Sequence, residues 1–151
     1  EKIAKLLLKK HLTVAVAESC TGGIISAALT DTPGSSKYFR MGVVAYSNDA
    51  KTDLLGVSND TIKRHGAVSQ ETAIELAQNI RRIGSVNIGI GVTGIAGPRG
   101  GTHAKPKGTV FISISLSHHT YFKKYKFSGG RLKVRRLAKM ACFKLLQKCL
   151  S

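Results

Sequence analysis

The sequence AESCTGG, residues 17–23, places a serine hydroxyl and a cysteine thiol between an apolar run and a helical pattern. The apolar run TVAVA, residues 13–17, predicts a short strand, and IISAAL, residues 24–29, predicts a helix. Residues 18–23 are therefore predicted to form a strand-to-helix turn. Free backbone N–H groups at such a turn favour negative charge, such as a phosphate or a developing oxyanion. The turn suits a nucleophile, although a structural turn, in which a hydroxyl caps the helix, explains the same residues.

Apolar periodicity assigns most of the remaining chain to alternating strands and helices. Strands are predicted at residues 13–17, 41–46, 86–92, 109–117 and 119–127, the last two forming a hairpin. Helices are predicted at residues 1–11, 22–31, 49–55 and 131–150, and after Ser69, where Ala73, Leu76, Ala77, Ile80 and Ile83 recur at helical spacing. These elements predict an α/β fold, in which one three-layer α/β/α domain, residues 1–151, surrounds a mixed sheet of about five strands.

Small polar or glycine-rich segments follow three of the predicted strands. These segments are Ser19, residues 46–51 and residues 93–101. In open α/β sheets ligands bind outside the carboxyl ends of the strands, so the three segments are expected to converge on one crevice. The third segment belongs to a glycine- and proline-rich loop, residues 93–107, which is long enough to suggest a function.

The charge of the chain is unevenly distributed. Residues 1–75 hold 9 Lys and Arg and all 8 Asp and Glu, a net charge of 9 − 8 = +1. Residues 76–151 hold 15 basic residues and no acidic residue. Such a field attracts anions, including nucleotides and nucleic acids, but does not specify one. Because solvated faces account for most surface charges, we do not expect nucleic acid as the partner.

Cysteine usage and hydropathy indicate a cytoplasmic protein. The three cysteines suit reduced thiols better than a disulfide framework, and no CxxC or histidine cluster at zinc spacing accompanies them. No apolar run approaches the roughly 20 residues that span a bilayer, and residues 1–11 are too charged for a secretory signal. We therefore expect no metal, no cofactor and no membrane partner. We also expect a homo-oligomer.

Several segments together resemble the CinA C-terminal family, the nicotinamide mononucleotide deamidases. They are AESCTGG at 17–23, GVVAYSNDAKTDLLGV at 42–57, GAVSQETA at 66–73, GVTGIAGPRGGTHAKPKGTVFI at 91–112 and, more weakly, FSGGRLKVR at 127–135. The resemblance implies an amidohydrolase that converts nicotinamide mononucleotide and water to nicotinic acid mononucleotide and ammonia. It also implies an α/β/α fold that agrees with the periodicity.

The resemblance implies Ser19 as the nucleophile, with Lys51 and Tyr46 activating it and relaying its proton. The expected substrate-binding residues lie in the turn, in the glycine-rich loop and on the last helix: Thr21, Gly22, Gly23, Thr93, Gly94, Gly97 and Arg135. Acyl transfer to water needs a nucleophile, oxyanion donors and an acid for the departing ammonia. As the base, Lys51 must lower its pKa from about 10.4 to near neutrality, through burial or neighbouring cations.

Other residues of these segments leave alternatives open. Cys20, at the start of a helix, is chemically a rival nucleophile, although it also reads as a packing residue. Glu18 either orients Lys51, binds a ribose hydroxyl or bonds to the turn. Arg131 matches a family arginine, but Gly130 stands where the family usually has an acid. The functional alternative is a catalytically silent, basic module that binds nucleotides or nucleic acid.

Overall fold

The computed structural model describes residues 1–151 and contains six α-helices, one short 3₁₀ helix and five β-strands. The helices are α1 Lys2–Lys9, α2 Ile24–Thr30, α3 Asn48–Asp53, α4 Asn59–His65, α5 Gln70–Ile83 and α6 Arg131–Leu150, with the 3₁₀ helix at Ser35–Lys37. The strands are β1 Val14–Glu18, β2 Phe39–Val44, β3 Ile88–Gly94, β4 Thr109–Ser115 and β5 Thr120–Lys126. No helix is both long enough and apolar enough to cross a membrane.

The five strands form one mixed sheet in the order β2-β1-β3-β4-β5. Strands β2, β1 and β3 are parallel, whereas β4 and β5 run antiparallel to their neighbours. The prediction of a mixed five-stranded sheet that ends in a hairpin is therefore confirmed. Because β1, β2 and β3 share one direction, their carboxyl ends meet at the same edge of the sheet.

Helices cover both faces of the sheet and give the predicted three layers. One face packs against α1, α2 and α6 in a core of 22 buried residues, to which β1 contributes Val14 and Val16. The other face packs mainly against α5 in a smaller core of eight residues, to which β1 contributes Ala15 and Ala17. Alternate residues of a strand point to opposite faces, so the run of small and branched residues in β1 fits a strand buried on both sides.

Two glycines of β3 set the distance between the sheet and α5. A Cβ atom at Gly89 would overlap the backbone oxygen of Ala77, and one at Gly91 would overlap the backbone oxygen of Ala73. The backbone of α5 therefore lies directly on β3 at these positions, where any side chain would separate the two elements. This close contact fixes the position of β3 against α5. The carboxyl end of β3 carries Thr93 and leads into the glycine-rich loop.

The structure differs from the sequence prediction in several places. Strand β3 covers residues 88–94 rather than 86–92, so Thr93 and Gly94 belong to the strand and not to the loop after it. Helix α4 was not predicted, since residues 59–65 carry no apolar stripe; the Ser58 hydroxyl accepts a hydrogen bond from Asp60 N and caps it. Strand β2 covers residues 39–44 rather than 41–46, which leaves Tyr46 in the following loop. Helix α2 begins at Ile24 rather than at residue 22. Ile83, which the helical spacing places in the buried stripe of α5, is exposed at the last turn of the helix.

Replacing Gly91 with alanine is expected to destabilise the fold by about 3 kcal/mol, since one methyl group would force α5 away from β3. Gly130→Ala is the matched control, because a Cβ there meets no atom within 4 Å. It should cost at most about 1 kcal/mol, as a change at a helix N-cap. Urea unfolding followed by circular dichroism measures both. Equal losses in the two variants would contradict the direct contact between α5 and β3.

Candidate active site

A cleft of about 320 Å³ opens at the carboxyl ends of the three parallel strands. It is lined by residues that follow β1 and β2 and by residues at and after the end of β3, and its remaining wall includes Arg131 at the start of α6. The expected convergence of the three polar segments is therefore present. The lining residues are Ser19, Cys20, Tyr46, Asn48, Lys51, Ala67, Val68, Thr93, Gly94, Ile95, Ala96, Gly97, Arg99, Gly100 and Arg131.

Ser19 and Lys51 form a hydrogen-bonded pair inside this cleft. Lys51 Nζ lies 3.0 Å from Ser19 Oγ, and the two residues are only 2% and 7% exposed. Local structure brings them together: Ser47 caps α3 through a hydrogen bond from Ala50 N, and the short helix turns Lys51 back towards the end of β1. A lysine so deeply buried is uncommon and usually has a paired charge or a function.

The Lys51 amine is surrounded by oxygen atoms that carry no formal charge. Besides Ser19 Oγ, its Nζ contacts the backbone oxygens of Ala45 at 3.0 Å, Tyr46 at 3.2 Å and Ser47 at 3.4 Å. No carboxylate lies within 4 Å of it. Burial lowers the pKa of Lys51, because the charged form loses its hydration and gains no counter-ion. Burial, rather than neighbouring cations, is the main cause.

Glu18 holds the turn that carries Ser19. Its fully buried carboxylate accepts hydrogen bonds from Gly23 N, Ile25 N, Ser26 N and Ser26 Oγ at 2.7–3.1 Å. Of the three roles considered for Glu18, the structural one is observed. The carboxylate also takes the place at the N-terminus of α2 that the sequence suggested for a substrate anion. No side chain at the N-cap position bonds to this helix end.

Four of the predicted substrate-binding residues lie outside the cleft lining. Thr21 is buried, its hydroxyl has no hydrogen-bond partner, and its carbonyl accepts a hydrogen bond from Arg135 Nη2 at 2.9 Å. Gly22 has φ +60°, and a Cβ atom there would lie 3.1 Å from Arg135 Nη2, so glycine gives the arginine room to reach the turn. Gly23 N is occupied by Glu18. Thr21, Gly22, Gly23 and Arg135 together brace the turn rather than line the cleft.

Thr93, Gly94 and Gly97, the three binding residues predicted in the glycine-rich loop, do line the cleft, although Thr93 and Gly94 belong to the end of β3. The Thr93 hydroxyl donates to Ala67 O at 2.7 Å, so it joins the end of β3 to the segment before α5. At Gly94 a Cβ atom would lie 2.8 Å from Thr109 O and 3.0 Å from Cys20 Sγ. Gly97 accepts a hydrogen bond from Arg131 through its carbonyl. Thr93 and Gly94 thus close the floor of the cleft by packing.

Tyr46 and Arg131 bridge the mouth of the cleft. Tyr46 is 57% exposed, and its hydroxyl accepts a hydrogen bond from Arg131 Nη2 at 2.7 Å. Arg131 Nη1 donates to Gly97 O at 2.7 Å, so these two oxygens hold the guanidinium without an acid at Gly130. Arg131 therefore lies at the site, whereas Arg135, one helical turn later, does not. Asn48 and the Ala67-Val68 segment also line the cleft, and sequence analysis assigned them no role.

Cys20 lies next to the hydrogen-bonded pair of Ser19 and Lys51 but belongs to the apolar core. Burial raises the pKa of its thiol to about 12, so almost no thiolate exists near neutral pH. The lowering of the pKa that a helix start would cause is not seen, because α2 begins at Ile24 rather than next to Cys20. Cys20 is therefore a packing residue and a poor rival to Ser19.

Basic side chains line the cleft, together with residues whose backbone N–H groups are unpaired. Lys51, Arg99 and Arg131 line it, and no Asp or Glu does. The backbone N–H groups of Cys20, Ala96 and Gly97 have no acceptor within the protein. No three His, Cys, Asp or Glu side chains lie close enough to form a metal site. The arrangement can bind an anion and can offer hydrogen bonds to a developing oxyanion.

Known proteins resemble this chain over almost its whole length. The model of the CinA C-terminal domain family matches residues 1–150. A CinA-like protein of Syntrophus aciditrophicus is 47% identical over 150 residues, which cover 99% of this chain and 36% of that relative. The chain spans about a third of the length of the curated relatives it matches.

Solved structures show the same fold. The competence/damage inducible protein CihA of Agrobacterium tumefaciens is 37% identical with a TM-score of 0.91, covering 97% of this chain and 90% of that chain. A competence-damaged protein (CinA) superfamily protein of Enterobacter cloacae is 35% identical with a TM-score of 0.95, covering 99% of this chain and 89% of that chain.

Replacing Glu18 with glutamine is expected to cost about 3 kcal/mol of stability, because an NH₂ group would face donors that the carboxylate now accepts from. Ser26→Ala is the control, since it removes only the hydroxyl donor and should cost about 1 kcal/mol. Chemical denaturation measures both variants. If Glu18→Gln is no worse than Ser26→Ala, the carboxylate does not hold the turn.

Proposed function

The chain belongs to the CinA C-terminal domain family, and on that premise we propose that its cleft deamidates nicotinamide mononucleotide to nicotinic acid mononucleotide and ammonia. The observation that supports this most strongly is the buried contact of 3.0 Å between Lys51 Nζ and Ser19 Oγ. A hydroxyl is a weak nucleophile unless a base takes its proton, and a lysine serves as that base only when it is neutral.

The geometry around Lys51 fits a neutral amine. Two N–H groups can donate to the carbonyls of Ala45 and Tyr46, which leaves the nitrogen lone pair for the Ser19 hydroxyl. As Ser19 Oγ attacks the carboxamide carbon, Lys51 Nζ accepts the hydroxyl proton. The carbonyl oxygen becomes an oxyanion, for which the free N–H groups of Cys20, Ala96 and Gly97 are the candidate donors.

Collapse of this intermediate breaks the carbon–nitrogen bond and leaves an ester on Ser19. Lys51, now an ammonium, gives its proton to the departing nitrogen, which leaves as ammonia. A water molecule then attacks the ester carbon and transfers a proton to Lys51, and the acid product leaves as Ser19 regains its hydrogen. One lysine thus serves as base and acid in both halves of the reaction.

The substrate phosphate is expected to bind towards the outer cations of the cleft, Arg99 and Arg131. A phosphate next to Lys51 would stabilise the ammonium form and raise its pKa, which would oppose the proposed base. Binding energy from the phosphate can position the carboxamide over Ser19. Tyr46 forms no hydrogen bond with Ser19. We therefore assign Tyr46 to holding Arg131 and rank Lys51 first as the base.

The uneven charge favours a second candidate, a basic module that binds nucleic acid. No Lys or Arg of residues 76–151 has an acidic partner within 4 Å. Binding to a phosphate backbone would fall steeply with salt and accept any sequence, whereas an amidase turns over one small molecule. A module that only binds nucleic acid does not need the buried pair of Ser19 and Lys51, so we favour the enzyme.

Purified protein is expected to release ammonia from nicotinamide mononucleotide, and far more slowly from nicotinamide riboside or free nicotinamide. Ser19→Ala should reduce the rate at least about 1000-fold, because the nucleophile is lost from a turn that alanine can occupy. Cys20→Ala is the neighbouring control and should keep most of the rate. Reversed effects of the two variants, or equal rates on the riboside, would contradict the proposal.

Lys51→Arg is expected to reduce the rate about 100-fold or more, because a guanidinium keeps the charge but stays protonated. The wild-type rate should rise with pH through a midpoint below 10.5, the ordinary value, since only the neutral amine accepts the Ser19 proton. Lys63→Arg, an exposed lysine of α4, is the control and should match wild type. An active Lys51→Arg enzyme without this pH limb would make Lys51 an electrostatic residue only.

A further inference from the structure

A groove of about 350 Å³ lies between β5, at one edge of the sheet, and α6. Its floor is apolar and includes Tyr125 of β5, Phe127 just after β5, and Leu137 and Met140 of α6. Met140 is 51% exposed, although it lies in the middle of a long helix. The groove shares no lining residue with the cleft that holds Ser19.

One row of backbone hydrogen-bonding groups beside this groove is free. Strand β5 pairs only with β4, and Phe127 N donates to Gly108 O of the strand connection. Antiparallel ladders bond alternate residues, so Phe122, Lys124 and Lys126 direct their N–H and C=O groups away from β4. An edge of this kind can accept a further strand.

The charges around the groove select what that strand can be. Lys123, Lys144 and Lys148 line the groove, while Lys124 and Lys126 lie on the other face of β5. No acidic residue occurs anywhere in residues 76–151. Lysines on an edge strand repel a second copy of a chain that carries +16, yet they attract an acidic segment.

We propose that the groove between β5 and α6 binds an extended acidic peptide segment of a partner protein, which adds a sixth strand to the sheet. Apolar side chains on one face of the added strand would cover Tyr125, Phe127 and Met140. Acidic side chains on its other face would lie beside Lys124 and Lys126, since residues on one face of neighbouring strands meet.

A peptide fits these features better than nucleic acid or an anionic membrane does. A phosphate backbone carries no row of alternating N–H and C=O groups and would leave the free backbone of β5 unpaired. Tyr125 and Phe127 also stack on each other, with ring centroids 5.4 Å apart, so their facing surfaces are not free to stack on bases. Only a strand uses the edge, the apolar floor and the lysines together.

The probe is a capped peptide of alternating glutamate and valine, about as long as β5, and its control is a peptide of the same composition with the glutamates in one block. Only the alternating peptide is expected to bind. It should slow hydrogen exchange at the amides of Phe122, Lys124 and Lys126 about tenfold or more at saturation. The amides of Lys123 and Tyr125, which face β4, should change little.

Replacing Lys124 and Lys126 with glutamate is expected to weaken peptide binding about tenfold or more, because like charges would then face each other. The matched control replaces Lys9 and Lys10, at the C-terminal end of α1, with glutamate. It changes the net charge equally and should leave binding and exchange unaltered. Neither pair lies in the cleft, so ammonia release should not change. The result for peptide binding does not depend on whether the cleft is a deamidase.

Three results would overturn the proposal. The first is equal binding of the block and alternating peptides, and the second is binding without protection of the three outward amides. The third is tighter binding of a single-stranded oligonucleotide, or of vesicles with anionic lipid, through the same lysines and without that protection. Tighter binding of either the oligonucleotide or the vesicles would identify the lysines as a phosphate-binding surface. Wild-type exchange data decide the matter even if a charge-reversal variant fails to fold.

Discussion

The amine of Lys51 lies inside the protein with no carboxylate to neutralise it, and the organisation of the cleft follows from this constraint. A buried ammonium without a counter-ion is costly, so the group either loses its proton or is satisfied by dipoles. Three consecutive backbone oxygens, at Ala45, Tyr46 and Ser47, supply such dipoles because β2 ends one residue before them. The end of a strand and a short capped helix thus create the environment of one side chain.

Ser19, the partner of that amine, is held in place by a second buried ionisable side chain, the carboxylate of Glu18. Glu18 is fully buried, and its carboxylate is satisfied by the first amides of α2 and by Ser26. It therefore neutralises the helix end rather than Lys51, and the two ionisable side chains stay separate although Glu18 immediately precedes Ser19. If they were paired, Lys51 would be held as an ammonium. The separation keeps the amine available to the serine hydroxyl.

Periodicity in the sequence predicts most of the fold, because the sheet and the main helices bury regular apolar patterns. It fails for α4, which has a hydroxyl cap but no apolar stripe. The site was predictable where chemistry follows a strand end, as at Ser19 and in the loop after β3. The choice between Arg131 and Arg135 was not, since both lie on one face of α6, and only the packed position of that helix decides which arginine reaches the cleft.

Direct titration of Lys51 shows whether its buried amine loses its proton more readily than an ordinary lysine does. Lysine side-chain carbons can be labelled with ¹³C and followed by NMR across pH, and the Lys51→Arg spectrum identifies the resonance that belongs to Lys51. We expect this resonance to titrate clearly below 10.5, the ordinary value for lysine, because burial disfavours the charged form. A midpoint at or above 10.5 would mean that the carbonyl oxygens stabilise an ammonium, and would contradict a neutral lysine as the base for Ser19.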